Sequence, residues 1–125
     1  DKTVLTQATT TLGAGFWVLT PLQQADGTQV LVNRGFVPDS LRAAWSDPQQ
    51  VASATPSGEV SVIGLLRASE PKGGFLRDNE PANKRWFSRD VPAIAHSQGL
   101  TAAAPFFVDA GMPDASAQVV GTAWH

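Results

Sequence analysis

The strongest constraint on the fold lies between residues 16 and 38, where two β-rich runs flank the dipeptide Asp26-Gly27. This dipeptide adopts the backbone angles of a tight hairpin turn at low cost. Both faces of the resulting ribbon are largely apolar, which predicts a central position in a closed or covered sheet. If Asp26 and Gly27 are the two loop residues, the cross-strand pairs are Leu22 with Leu31, Val18 with Gly35 and Trp17 with Phe36.

Two short helices are predicted beyond the hairpin. The segment DSLRAAW, residues 39–45, predicts a helix capped by Asp39. A second helix begins after Asp90, with Pro92 in its first turn, and ends at Gly99. These helices are short and we expect them to pack on the sheet.

Strand patterns recur in three later segments, residues 58–69, 104–110 and 117–125. Between them, residues 46–58 and 70–85 are rich in proline, glycine and polar side chains, which predicts long loops. The predicted fold is mainly β within the α+β class. It is a small, mostly antiparallel sheet, curved or barrel-like, with two short helices and long loops at one end.

Composition limits the classes of function. A chain of 125 residues with 42% hydrophobic side chains fits one domain, residues 1–125. A net charge of −2 without charged blocks argues against nucleic acid as a partner. The absence of cysteine excludes thiolate chemistry, and two histidines make a metal site improbable. No apolar run is long enough to span a bilayer, so we expect the chain as given to be soluble.

The charged residue inside the apolar run VLVNRGFVP, Arg34, admits three interpretations. A buried guanidinium paired with Asp90 or Asp109 is favoured, because buried charges are costly unless they are paired. The planar guanidinium also suits an anion site for a carboxylate or propionate. A position at the exposed rim of the sheet is the third interpretation. Beside it, Gly35 is expected because a side chain there would clash with Val18 or a neighbouring strand.

The segment RWFSRD carries the second group of candidate residues, Trp86, Arg89 and Asp90. One interpretation is a helix cap preceded by an aromatic anchor in the core. The other is a recognition surface, since tryptophan and arginine dominate interface hot spots. A hydrolase triad of His96, Ser88 and Asp90 is disfavoured, because no nucleophile elbow or oxyanion loop accompanies it. No catalytic residue and no metal ligand is therefore predicted.

Five blocks in this order resemble one family: GFWVLTPL, DGTQVLVNRGFVP, GEVSVIGLLR, NEPANKRWFSRD and FFVDA. They are similar to the Surfeit locus protein family of cytochrome c oxidase assembly factors. Most of the weight lies on residues 33–38, which include Asn33, Arg34 and Gly35, and on Trp86 with Arg89-Asp90. These six named residues are the candidate interaction or structural motif.

The resemblance implies an extracytoplasmic domain excised from between two transmembrane helices. Such proteins lie in the mitochondrial inner membrane or in the bacterial plasma membrane with this domain in the periplasm. They assist respiratory-chain biogenesis, in particular heme a insertion into the catalytic subunit of cytochrome c oxidase, and are not known as enzymes. The implied partners are that subunit, heme a or heme-synthesis enzymes, and the membrane through flanking helices.

The resemblance also limits what is expected of this chain. The heme-ligating histidine of the family lies beyond its end, and His125 does not match that setting. Heme a is thus expected in the full-length protein, with no cofactor in this domain alone. A generic periplasmic ligand-binding module is the alternative function, and its signature would be a deep apolar pocket with a few polar groups.

Overall fold

The computed structural model describes residues 2–10, 13–47, 60–69, 86, 89–110 and 117–124. The predicted loops lie mostly outside these ranges. A short 3-10 helix, Asp39–Leu41, precedes the first α-helix. The elements, in chain order, are β1 (Val4–Thr10), β2 (Gly13–Gln24), β3 (Gln29–Pro38), α1 (Arg42–Ser46), β4 (Val60–Ala68), α2 (Val91–Ser97), β5 (Ala103–Ala110) and β6 (Ala117–Trp124).

The strands form one sheet in the order β1-β2-β3-β5-β4-β6. All neighbours are antiparallel except β3 and β5, which run parallel. The end of β2 also pairs with β6, where Leu22 lies opposite Trp124, so the sheet bends strongly back towards its own strands. The prediction of a mainly β, curved sheet with two short helices is confirmed. The sheet is mostly antiparallel, as predicted, with β3 and β5 as its parallel pair.

The strand β1 lies where no strand is predicted. It pairs with β2 over its whole length, and the side chains of Val4, Thr6 and Ala8 are buried. Strand alternation is present, but a threonine and an alanine occupy two of the three inward positions. The apolar contrast between the two faces is therefore too small to reveal the strand from sequence.

The helix α2 matches its prediction closely. The carboxylate of Asp90 accepts a hydrogen bond from the backbone N–H of Ala93 at 3.3 Å, and Pro92 lies in the first turn. Gly99 follows the helix with φ +70°. The predicted cap at Asp39 is wrong, because Asp39 lies inside the 3-10 helix and makes no capping hydrogen bond. The α-helix begins only at Arg42.

The hairpin has a longer loop than predicted. The backbone N–H of Gln24 donates to the carbonyl of Thr28 at 2.8 Å, so three residues, Ala25-Asp26-Gly27, form the loop. Leu22 consequently lies opposite Val30 and not Leu31. Hydrogen bonds from the side chain and then the backbone of Thr28 lower the pKa of Asp26.

The core lies on both faces of this sheet. On one face, α2 and Trp86 cover the strands, in a cluster of Val4, Leu19, Leu31, Trp86, Val91, Ile94 and Phe107. The other face carries a second buried cluster of Leu22, Val30, Val32 and Val108, against which Trp124 packs. The hairpin strands are thus buried on both faces, in agreement with the central position predicted for them.

One glycine marks a close approach within the sheet. A Cβ added to Gly64 of β4 would collide with the backbone carbonyl oxygen of Asp109 on β5. Gly64 therefore lies at a close approach of two strands. It lets β4 lie tightly against the strand that carries Asp109.

Candidate functional site

The motif Asn33-Arg34-Gly35 forms a β-bulge in the centre of the hairpin. Leu19 pairs with Asn33 and Trp17 pairs with Phe36, so Val18 alone opposes two residues of β3. The longer hairpin loop shifts the pairing of β2 and β3 by one residue from the predicted register. The extra residue of β3 in the bulge restores the predicted register, so that Trp17 again lies opposite Phe36. The predicted pair of Trp17 and Phe36 is confirmed, with ring centroids 5.9 Å apart in an edge-to-face arrangement.

Gly35 has a backbone reason for being glycine. Its φ is +131°, a conformation that side chains disfavour, whereas a Cβ added there would meet nothing within 4 Å. The predicted clash with Val18 is therefore wrong. The backbone N–H of Gly35 donates to Oδ1 of Asn33 at 3.0 Å, which ties the bulge to the preceding side chain.

We expect Gly35→Ala to lower the free energy of unfolding by about 1–3 kcal/mol, the cost of holding a side chain in that backbone conformation. Gly35→Ser should lose a similar amount, because the added Cβ itself is unhindered. Thermal and urea unfolding of the three proteins would check this. Unchanged melting of the alanine variant would contradict a glycine requirement set by φ.

A buried carboxylate connects the bulge to distant parts of the chain. Oδ1 of Asp109 accepts from Nδ2 of Asn33 at 2.8 Å and from a terminal nitrogen of Arg89 at 3.1 Å. Oδ2 lies 3.0 Å from Nε of Arg67, in a salt bridge. We call these four residues the Asp109 cluster. Because the pairing of Asn33 with Asp109 needs β3 and β5 to be parallel neighbours, the cluster depends on the sheet order.

Arg89 lies in an aromatic enclosure beside this carboxylate. Its guanidinium carbon is 4.6 Å from the ring centre of Phe107 and 5.5 Å from that of Trp17. Such cation–π contacts favour the charged side chain in an otherwise apolar setting. The side chains of Arg89 and Asp109 are each only 9% exposed, so the pair is a buried salt bridge.

Trp86 anchors the chain that leads to Arg89. It is 4% exposed within the α2-facing core, and its carbonyl accepts from the backbone N–H of Gln7 at 2.7 Å. A parallel bridge between Thr6 and Trp86 covers the edge of β1. The observed burial favours the interpretation of a core anchor followed by the cap at Asp90.

Arg34 occupies a different place from its predicted one. Its guanidinium carbon lies 5.5 Å from the ring centres of both Trp45 and Trp124, and a terminal nitrogen is 3.5 Å from Oγ1 of Thr20. We call this group the Arg34 stack. Pairing with Asp109 is wrong, because that carboxylate is engaged by Asn33, Arg67 and Arg89. Desolvation by burial lowers the pKa of Arg34, though a guanidinium stays charged in proteins.

The six predicted residues thus divide between two places. Asn33 and Arg89 bind Asp109, and Gly35 bonds to Asn33. Trp86 and Asp90 flank Arg89 in the chain, while Arg34 lies in the stack. Sequence reasoning missed the roles of Arg67, Trp45 and Trp124. An aspartate inside the apolar strand FFVDA is the one local signal for the cluster, and nothing local indicates the two tryptophans.

The described residues bring no catalytic group together. His96 is exposed on α2, and Ser88 lies outside the described ranges. In the same ranges, no group of three or more potential metal-ligating side chains forms. None of the helices described there is long and apolar enough to cross a bilayer. The described residues form two polar sites. In one, the guanidinium of Arg34 contacts two tryptophan rings. In the other, the carboxylate of Asp109 is bound by its polar neighbours.

Comparison with known proteins identifies the family. The SURF1 family profile matches residues 1–124. Surfeit locus protein 1 of Homo sapiens is 37% identical over 98 residues, covering 78% of this chain and 30% of that protein. The SURF1-like protein of Monosiga brevicollis is 37% identical over 98 residues, covering 78% and 35%. Surfeit locus protein 1 of Arabidopsis thaliana is 31% identical over 124 residues, covering 69% and 35%.

No solved structure matches the chain. The chain spans about a third of the length of the three relatives named above. The blocks that predicted the resemblance lie within the matched residues, and they contain the bulge and all four residues of the Asp109 cluster. The chain belongs to the SURF1 family.

Proposed function

We propose that this chain is part of an assembly factor for cytochrome c oxidase that assists heme a insertion into the catalytic subunit. The observation that carries the proposal is the family match over residues 1–124. In this proposal the chain lies outside the membrane, in the bacterial periplasm or its mitochondrial equivalent. Helices outside the chain attach it to the membrane.

The proposed action is binding and positioning, without bond breaking. A bulge, a buried salt bridge and a two-faced core make the hairpin a stiff scaffold, suited to presenting a surface to a membrane subunit. Heme a is the cargo in this proposal. The one histidine among the described residues, His96, is exposed on α2.

Deletion of the gene that encodes this chain tests the proposal. We expect the deletion strain to lose most of the reduced heme a absorbance of its membranes, and the reintroduced gene to restore it. Affinity purification of the reintroduced protein should retain the oxidase catalytic subunit. A deletion strain with normal heme a absorbance and oxidase activity would contradict the proposal.

A ligand-binding module is the second candidate function. The Arg34 stack favours it, because ligand sites combine aromatic side chains with a few polar groups, as this stack does. The two functions are separable, since a ligand-binding module would bind its ligand in the absence of any oxidase subunit. The deletion strain would then assemble its oxidase normally.

A further inference from the structure

The strands β1 and β6 lie along the same edge of β2. Leu22 of β2 pairs with Val30 of β3 on one edge and with Trp124 of β6 on the other. Leu19 of β2 pairs with Val4 of β1. Because β3 occupies the same edge of β2 at Leu19 and at Leu22, β1 and β6 both lie along the opposite edge. Both run antiparallel to β2, so β6 ends where β1 begins. We call this place the β1–β6 junction.

The two ends of the described chain lie close together at this junction. Val4 and Trp124 lie opposite residues of β2 that are three positions apart, which is about 10 Å along a strand. Thr3 is nearer still, because its hydroxyl lies 2.8 Å from that of Thr20 in β2. Pro21 follows in β2 and has no N–H to donate, so the break between β1 and β6 falls beside a residue without a backbone donor. Chain that continues beyond either strand therefore leaves the domain from one place.

The separation of the two ends matches the distance between packed helices. The axes of two packed helices lie about 8–10 Å apart. Strand β2, with 12 residues, is about 40 Å long, so exits at opposite ends of this sheet would be much further apart. Helices that begin at the junction are within contact distance of each other from their first turn, and no linker is needed to bring them together.

We propose that the two membrane helices that flank this domain leave the β1–β6 junction side by side and pack against each other as one unit. These helices come from the proposed function, on which the inference rests. The domain is then attached to the bilayer at a single place, and the oxidase catalytic subunit meets the outer surface of a helix pair. Two separated helices would instead hold a membrane subunit between them.

Cysteine crosslinking of the full-length protein in membranes tests the junction first. The chain contains no cysteine, so an introduced cysteine is unique in it, and cysteines elsewhere in the protein are replaced by serine. Lys2→Cys is combined with a cysteine placed directly after His125, and the membranes are treated with a bismaleimide whose reach matches the separation at the junction. We expect efficient crosslinking within one molecule, identified by mass spectrometry of the linked peptides.

The matched control is Gln7→Cys, combined with the same second cysteine. Gln7 is exposed on the same strand as the junction, but it lies opposite Phe16, six positions of β2 from Leu22. We expect the crosslink yield to fall about tenfold or more, because the reagent does not span the separation of about 20 Å.

The helix pair is tested with cysteines moved stepwise along both flanking helices. Disulfide formation within one molecule is measured in membranes treated with copper phenanthroline. An α-helix returns to the same face about every 3.6 residues, so we expect the disulfide yield to rise and fall with that period over several turns. Helices that diverge from the junction would instead give a yield that declines steadily without a period.

Membrane fractionation separates this inference from the proposed function. A full-length protein absent from washed membranes would contradict both. A membrane-bound protein that restores heme a absorbance in the deletion strain, yet crosslinks no better from Lys2→Cys than from Gln7→Cys, would overturn the junction alone. Junction crosslinks with a steady decline along the helices would overturn the helix pair. Junction crosslinks with periodic disulfides, in a protein that still restores heme a absorbance, support the inference.

Discussion

Asp109→Ala is expected to lower the free energy of unfolding by about 3–5 kcal/mol, the usual cost of removing one partner from a buried ion pair. The substitution leaves the buried guanidinium of Arg89 without this carboxylate. It also removes the hydrogen-bond acceptor of the Asn33 side-chain amide. The same side chain holds the bulge by accepting a hydrogen bond from the backbone N–H of Gly35. Urea denaturation, with the slope of the transition compared between variants, measures the change.

Arg67→Ala is the matched control because it breaks a contact to the same carboxylate. The Arg67 side chain is 45% exposed, and exposed pairs contribute about 0–1 kcal/mol. We therefore expect a small loss for Arg67→Ala beside a large loss for Asp109→Ala. Equal losses in the two variants would contradict the assignment of the buried pair as the main stabilising contact of the cluster.

The hairpin shows how much of the fold local sequence can predict. The turn, the two strands and the pair of Trp17 with Phe36 all follow from Asp26-Gly27 and the apolar runs. The loop, however, is one residue longer than predicted, and the bulge at Arg34-Gly35 cancels that shift before Trp17 is reached. A bulge changes register without leaving a clear pattern in hydrophobicity, so sequence alone could not place Arg34 correctly.

The partners of the charged residues were harder to predict, for a topological reason. Asp109 meets Asn33 because β5 lies parallel to β3, although the two residues are 76 positions apart in the sequence. Local periodicity contains no information about such a pairing. The Asp90 cap, in contrast, is a contact between residues three apart and was predicted from sequence. Contacts that depend on strand order, such as the one between Asn33 and Asp109, therefore could not be predicted from local pattern.

The residues that carry the family resemblance have clear structural roles. Asn33 and Gly35 form and hold the bulge, and Arg89 is the buried partner of Asp109. A motif of this kind preserves the shape of the scaffold. Arg34 is the member of the motif that reaches the partly exposed stack, which makes it the natural place to look for recognition.

Trp86→Ala is expected to lower the free energy of unfolding by about 3–5 kcal/mol, as for other large aromatic side chains removed from a core. Trp86 is 4% exposed and packs with Leu19, Ile94 and Phe107 beneath α2. Its loss would open a cavity under the helix that follows Arg89. Chemical denaturation of the variant and the parent chain measures the effect.

Trp86→Phe separates the anchor from a recognition residue. Phenylalanine keeps an apolar ring in the core, so we expect a distinctly smaller loss of stability than with alanine, and unchanged retention of the oxidase catalytic subunit on affinity purification. If Trp86 instead acted mainly in recognition, the alanine variant would unfold like the parent while losing the subunit. That result would contradict the core position of Trp86, since a side chain with almost no exposed surface has little left to offer a partner.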